Sequence, residues 1–339
     1  MRFSQKQKSA LFRGLIFSLA FCFSACAGSR SVSEDNAVNS EYAGLPRLSK
    51  DRCNFIIASD MGRRGESYQK QIADLMGAAA ERNDLRLLAV AGDPIHDEGV
   101  QSVDDPAWRE KIESIYTAPS LSAIPWYVVA GNHEYRGSVQ ALMAYSQKSG
   151  RWNMPNRYFS LEQPLEKKGE KQETCLLVFI DTTPLIDKYR SGEEADYADS
   201  DAKDQDIDAQ LAWIDRVLAE SAARWKIVIG HHPVFADTEK DETERLDMQT
   251  RLLPILDARK VDLYVAGHIH NFQYVRLPEH STAFAVNSSA SRSREAKPIA
   301  GTVFCDGSPG FSMVSVSPDA LEFYMINHEG RIIYYFTLT

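Results

Sequence analysis

Arg86-Leu87-Leu88-Ala89-Val90-Ala91-Gly92-Asp93-Pro94-Ile95-His96 is the stretch on which the fold turns. Its apolar run is too short for a helix and is closed by glycine and proline, so it reads as a strand buried on both faces. Polar residues come only where that strand stops. The same arrangement recurs along the chain. Ala58-Ser59-Asp60-Met61-Gly62 closes a run at 53–59, and Ala130-Gly131-Asn132-His133-Glu134 closes one at 126–130. Ile229-Gly230-His231-His232-Pro233 follows a run at 226–229, and Ala266-Gly267-His268-Ile269-His270 follows one at 262–266. Helical patterns at 66–82, 208–223 and 245–259 fall between the strands, the second carrying Leu211, Ile214 and Leu218 at helical spacing behind an acidic cap. With a further strand at 175–180, this alternation is an α/β signature. After residue 270 the pattern turns extended, at 272–277, 282–286, 311–316, 321–326 and 331–338. A chain that begins βαβ and ends in a meander implies two sheets packed together with helices outside. No internal repeat or second linker interrupts it.

The 339 residues are 44% hydrophobic and 25% charged, which excludes a disordered, collagenous or multi-span membrane chain. A net charge of -9, from 47 acids and 38 bases, argues against a nucleic-acid groove, and no nucleic-acid partner is expected. Arg2, Lys6, Lys8 and Arg13 precede an uncharged apolar run at 14–25, too short to span a membrane comfortably. It reads as a secretory signal. Phe23-Ser24-Ala25-Cys26 looks like a bacterial lipobox with Phe where Leu is usual, so a lipid anchor on Cys26 is expected, plain cleavage after Ala27 being the alternative. The expected organisation is a signal at 1–25, a Ser-, Gly-, Asn- and Ala-rich tether at 26–50 and one domain at 51–339. The protein would then be exported and membrane-anchored, facing the periplasm or cell exterior, or soluble there if unlipidated. Cys53, Cys175 and Cys305 are too few for a disulfide framework and lack zinc-site spacing, so they read as small buried hydrophobes.

Ligands of α/β sheets bind at the carboxyl ends of strands, so the polar clusters are expected to converge on one site. Six of the eight histidines lie in them. Carboxylates, an Asn carbonyl and neutral imidazoles suit Zn, Mn or Fe, and no thiolate is offered. His268 and His270, two apart, would point at two neighbouring ions. Asp93 is the candidate bridge between them.

These residues resemble the calcineurin-like metallophosphoesterases, and within them the purple or tartrate-resistant acid phosphatases. The family pattern D-x-G, G-D-x-x-Y, G-N-H-D/E, G-H and G-H-x-H appears at Asp60, Asp93, Asn132, His231, and His268 with His270. Gly99-Val100-Gln101-Ser102-Val103, Pro125-Trp126-Tyr127-Val128, Arg151-Trp152-Asn153 and Asn271-Phe272-Gln273-Tyr274 also look like segments of the tartrate-resistant enzymes. The likeness covers about 53–275. It implies an α/β four-layer sandwich of the metallophosphoesterase type, two mixed β-sheets packed together with helices outside. It also implies two metal ions (Fe, Mn or Zn), the first on Asp60, Asp93, His270 and the residue at 96, the second on Asp93, Asn132, His231 and His268.

At 96 the chain departs from the family, because the tyrosine that colours the purple enzymes is His96 here. That residue is read as a substitute neutral ligand or, alternatively, as a hydrogen-bond donor behind the ligands. Purple colour is not expected in either case. The activity implied is hydrolysis of phosphate monoesters by in-line attack of metal-bound hydroxide, with His133, Asp93 and Asn132 as catalytic residues. His133 would be an acid or phosphate contact, or else a loop histidine bonded to Glu134 or backbone. Relatives carry another histidine after G-H-x-P-V; here Asp237 or Lys240 replaces it, or the second donor is simply missing. His232 reads as pocket wall. Tyr135 and Arg136 read as substrate mouth or as solvated loop. The segment 187–208 holds nine acids and three bases, and is a solvated loop or a lid over the site. The tail at 288–310, with Arg292, Arg294 and Lys297, shows no clear period. Small phosphorylated molecules or phosphoproteins are the expected substrates. Phosphodiester or pyrophosphate cleavage, and non-catalytic binding of a phosphorylated ligand, stay open beside this reading.

Overall fold

A computed structural model describes residues 44–339. The signal stretch, Cys26 and the tether as far as residue 43 lie outside the described residues. The end of the expected tether is docked: Leu45 and Leu48 pack on the core, and the Leu48 N–H donates to Asn83 Oδ1 at 2.8 Å. Asn83 Nδ2 in turn donates to the Pro46 carbonyl at 3.2 Å.

Strands β1 (Cys53–Ala58), β2 (Leu85–Ala91), β3 (Trp126–Val129) and the short β4 (Trp152–Asn153) run parallel in that order. An antiparallel hairpin of β5 (Phe159–Lys168) and β6 (Lys171–Phe179) opens the second sheet, where β7 (Trp225–Ile229) and β8 (Leu263–Ala266) lie parallel to β6. The last third adds β9 (Phe272–Val275), β10 (Ala283–Val286), β11 (Thr302–Asp306), β12 (Gly310–Val316), β13 (Leu321–Asn327) and β14 (Ile332–Leu338). The result is two mixed seven-stranded sheets, ordered β14-β13-β12-β1-β2-β3-β4 and β11-β9-β10-β8-β7-β6-β5.

Side-chain alternation makes the layers. Phe55, Ile57, Leu87, Ala89, Leu177, Phe179, Ile227 and Ile229 enter a cluster built only of strand residues from both sheets. Ile56, Leu88, Val178 and Val228 point the other way, into apolar packing shared with the helices Gln69–Arg82 and Ile207–Glu220. Strands covered on both faces explain the unbroken apolar runs of the motif regions. Deleting one such side chain, as in Ile57→Ala, is expected to destabilise the fold by roughly 2–5 kcal/mol.

Three elements differ from expectation. The helix expected at 245–259 is two, Glu242–Arg251 and Leu253–Ala258, because Pro254 has no N–H to continue the first. Strand β5 is not among the expected strands: Phe159, Leu161 and Leu165 alternate into the inter-sheet core, but Pro164 and the charges Glu162, Glu166 and Lys167 interrupt the run, as suits a sheet edge. Strand β11 arises inside the tail at 288–310 and forms the other edge of the same sheet.

Candidate metal centre

The parallel strands of each sheet deliver their carboxyl ends to one place, and the two sheets are tied together there. The His268 N–H donates to Asp60 Oδ2 at 2.9 Å, and His231 Nδ1 meets the Ala91 carbonyl at 2.9 Å. Asp60, Asp93, His268 and His270 all take left-handed backbone, with φ of 53°, 48°, 73° and 60°. Non-glycine residues adopt that region at a cost, and here it turns side chains beyond the strand ends toward a common point. Glycine before the motif residues makes room: a Cβ at Gly92, whose φ is +83°, would lie 2.2 Å from His231 Nδ1, and one at Gly131 2.1 Å from Asp93 Oδ1.

Asp60, His96 and His270 form one buried group with facing donor atoms within 4.8 Å of one another. His270 Nε2 is 3.0 Å from Asp60 Oδ1, yet that oxygen has no hydrogen-bond partner among the described residues. Both ring nitrogens of His96 are equally without one. Asp60, Asp93 and His231 form a second group, in which Asp93 Oδ2 lies 3.2 Å from His231 Nε2 and 3.5 Å from His96 Nε2. His268 Nδ1 is 3.2 Å from His231 Nε2. Asn132 Oδ1 is buried with no partner among the described residues, and the neighbouring His133 N–H donates to Asp93 Oδ1 at 3.0 Å. Buried donor atoms that approach without satisfying each other are what a cation site requires. The set is oxygen and imidazole nitrogen without thiolate, so it fits two ions of the Zn, Mn or Fe type, with Asp93 touching both groups.

Electrostatics agree. Burial pushes the Asp60 and Asp93 carboxyls up, but neighbouring imidazoles, His270 for Asp60 and His231 for Asp93, outweigh it and hold both below the usual range. Burial lowers His231 as well, but Asp93 raises it further, to about 9. A proton on His231 thus balances the paired carboxylates, and a bound cation would displace it. Burial keeps His96 and His268 neutral, with lone pairs available. Glu134 is lifted to about 8 by burial and by the Asp93 charge. Its Oε1 accepts from the Ile95 N–H and its Oε2 from the Gly131 N–H, so it braces two motif loops.

His133 Nδ1 is held at 2.5 Å by the Asp97 carbonyl, while Nε2 reaches 3.8 Å from Asp93 Oδ2. The ring is backbone-bonded and also faces the site. His232 is wall with a further part: Nδ1 meets Thr182 Oγ1 at 2.8 Å, Nε2 has no partner among the described residues, and the residue groups with His231 and His268. Tyr135 is neither mouth nor solvated loop, for it is buried and donates to Asp181 Oδ2 at 2.5 Å. Asp237 Oδ2 accepts from the Lys297 N–H at 2.7 Å, and Lys240 lies in electrostatic reach of Asp60, Asp93 and Glu244. Within the tail, Ser289 and Ser291 hydroxyls both donate to the Asp60 carbonyl at 2.7 Å. Sequence reading missed Asp181, Thr182, Tyr197, Glu244 and these serines. Each acts across a long sequence separation, and only the tyrosines inside an acidic stretch were a visible signal.

Residues 53–272 match the calcineurin-like phosphoesterase family, and the chain belongs to it. It is 35% identical to purple acid phosphatase 4 of Arabidopsis thaliana over 242 residues, covering 70% of this chain and 68% of that protein. To tartrate-resistant acid phosphatase type 5 of Sus scrofa it is 30% identical over 257 residues, 72% of each. The chain is accordingly a metal-dependent phosphoric ester hydrolase. Among solved structures it is similar to GAP50, the anchor in the inner membrane complex of Plasmodium, with a TM-score of 0.71 at 21% identity over 86% of this chain and 89% of that one. That likeness speaks to the fold alone.

Proposed function

We propose that the chain is a phosphomonoesterase working outside the cytoplasm with two metal ions. Asp60, Asp93, His96 and His270 would hold one ion, and Asp93, Asn132, His231 and His268 the other. The observation that carries this reading is the set of buried, unsatisfied donor atoms on Asp60, His96 and Asn132, packed against Asp93 and three further imidazoles. When bound, such ions neutralise phosphoryl charge and make water acidic enough to act as nucleophile. His96 is better suited to ligation than to donation, since among the described residues neither ring nitrogen has a hydrogen-bond partner. With Nδ1–H on the Asp97 carbonyl, neutral His133 presents a lone pair at Nε2, so it must gain a proton before donating to a leaving oxygen. A phosphate dianion nearby favours that proton. Lys240 adds positive charge on the same side.

The test is hydrolysis of an aryl phosphate by metal-stripped protein reloaded in turn with Fe, Mn and Zn between pH 4 and 9, beside an aryl phosphodiester. Activity on the monoester with a divalent ion near neutral pH, and no visible phenolate-to-iron band with Fe, is expected. Two ions bound with no monoester turnover would overturn the reading in favour of a diester substrate or of binding alone. We also propose the lipid anchor at Cys26, for which the lipobox-like Phe23-Ser24-Ala25-Cys26 speaks, and Cys26→Ala is expected to move the chain from membrane to soluble fraction.

A further inference from the structure

The acidic segment 187–208 has two sides. Each of its nine acids is exposed, while Tyr189, Tyr197, Ser200 and Ala202 are buried. Short helical turns at Asp187–Arg190, Ala195–Tyr197 and Asp201–Asp204 shape it into a strap pinned by its aromatic rings, Tyr189 and Tyr197 meeting edge to face at 4.7 Å. Tyr197 Oη accepts from Asn132 Nδ2 at 2.8 Å and from Arg136 Nε at 3.1 Å. That bond turns the amide so that Oδ1, the atom without a partner, is the one left free. Tyr189 Oη donates to Glu244 Oε1 at 2.7 Å, Lys188 Nζ lies 2.5 Å from the same oxygen, and Glu244 Oε2 sits 2.8 Å from His268 Nε2. A carboxylate on Nε2–H selects the tautomer whose Nδ1 lone pair faces His231 Nε2.

We infer that the strap is an internal brace for one ion of the pair, with Tyr197 positioning Asn132 and Tyr189 positioning His268 through Glu244. This rests on the two-ion reading above. The ion on Asp60, His96 and His270 gets no such help from the strap: the Asp60 main-chain carbonyl accepts from Ser289 and Ser291, and neither ring nitrogen of His96 has a partner among the described residues. Partners behind metal ligands typically contribute 10–100-fold in affinity, so the loss is expected on one ion only.

The experiment measures stepwise Zn(II) and Mn(II) dissociation constants by competition with a chelating indicator, with metal content by mass spectrometry, on wild type, Tyr197→Phe, Glu244→Ala, Glu244→Gln and Asp199→Ala. Tyr197→Phe and Glu244→Ala are expected to weaken one ion about 10–100-fold and leave the other unchanged, Tyr197→Phe with an unaltered melting temperature in chelator. Glu244→Gln recovers part of the loss, because its amide oxygen still accepts from Nε2–H. Asp199→Ala, on the exposed side, binds both ions as wild type does. Two unaltered constants in Tyr197→Phe and Glu244→Ala overturn the inference. So does equal weakening of both ions with a lower melting temperature, which marks a merely structural role. Wild type that takes up fewer than two ions overturns the two-ion reading itself, and the brace with it.

Discussion

The two groups of donor atoms at this centre are supported by different means. Around Asp60, His96 and His270 the support is mostly main chain and short serines: the Asp60 N–H donates to the Gly92 carbonyl at 3.1 Å, and the His96 N–H to the Gly62 carbonyl at 3.1 Å. Around Asn132 and His268 it comes from long side chains, Tyr197, Glu244, Tyr189 and Lys188, reaching in from elsewhere. A ladder of backbone bonds resists single substitutions, whereas a side-chain prop is removable one residue at a time. The first group is therefore a rigid seat and the second an adjustable one.

Asp93 joins the two, and its loss is the most severe test of the comparison. Asp93→Asn is expected to weaken both ions and lower kcat for an aryl phosphate by at least about 10²–10³-fold. Titrations in which either ion keeps its wild-type affinity would show that the groups are not joined through this carboxylate.

Away from the ligands, where Tyr135 donates to it, burial lifts the Asp181 carboxyl to about 6 against Arg157, which lowers it. A buried acid with a raised folded value favours the fold while protonated. As pH climbs from about 4 to about 6 the unfolded chain gives up that proton first, and stability falls by on the order of 3 kcal/mol before levelling off. Asp181→Asn removes this slope. Melting curves of both proteins in chelator from pH 4 to 7 read the difference, and parallel curves would refute it.

His133→Ala is expected to lower kcat about 10²-fold with both ions retained, because the residue faces the site without being counted among the ligands. Loss of an ion in that variant would move His133 into the coordinating set. The smallest effect belongs to Lys240→Ala, whose ammonium burial holds below its usual range. A rise in KM of roughly 3–10-fold with kcat little changed is expected, the size of one ordinary net hydrogen bond. An unchanged KM would remove Lys240 from the substrate's path.

Legibility followed range. Each strand that ends in a motif was readable, because burial on both faces leaves an unbroken apolar run, and so was the donor set, because coordination chemistry restricts residue type. Strand β5 was not, because Pro164 and the charges of a sheet edge mask the alternation of Phe159, Leu161 and Leu165. Tyr197 was hidden by its setting among acids, and its partner Asn132 is 65 residues away. Tyr135 was misread for the opposite reason: its neighbours are polar loop residues, yet its ring is buried against Asp181.

Composition and local pattern by themselves determined an α/β chain, the strands that end in polar clusters, and oxygen and imidazole donors in place of thiolates. Those follow from interactions between residues near one another in sequence. Which imidazole nitrogen faces inward, which carboxylate touches both groups, and that an acidic stretch turns its tyrosines against the centre were decided only by tertiary structure. His231 and the Ala91 carbonyl that orients it are 140 residues apart. No local periodicity records a bond of that span, because it exists only after two sheets have packed and brought their strand ends together.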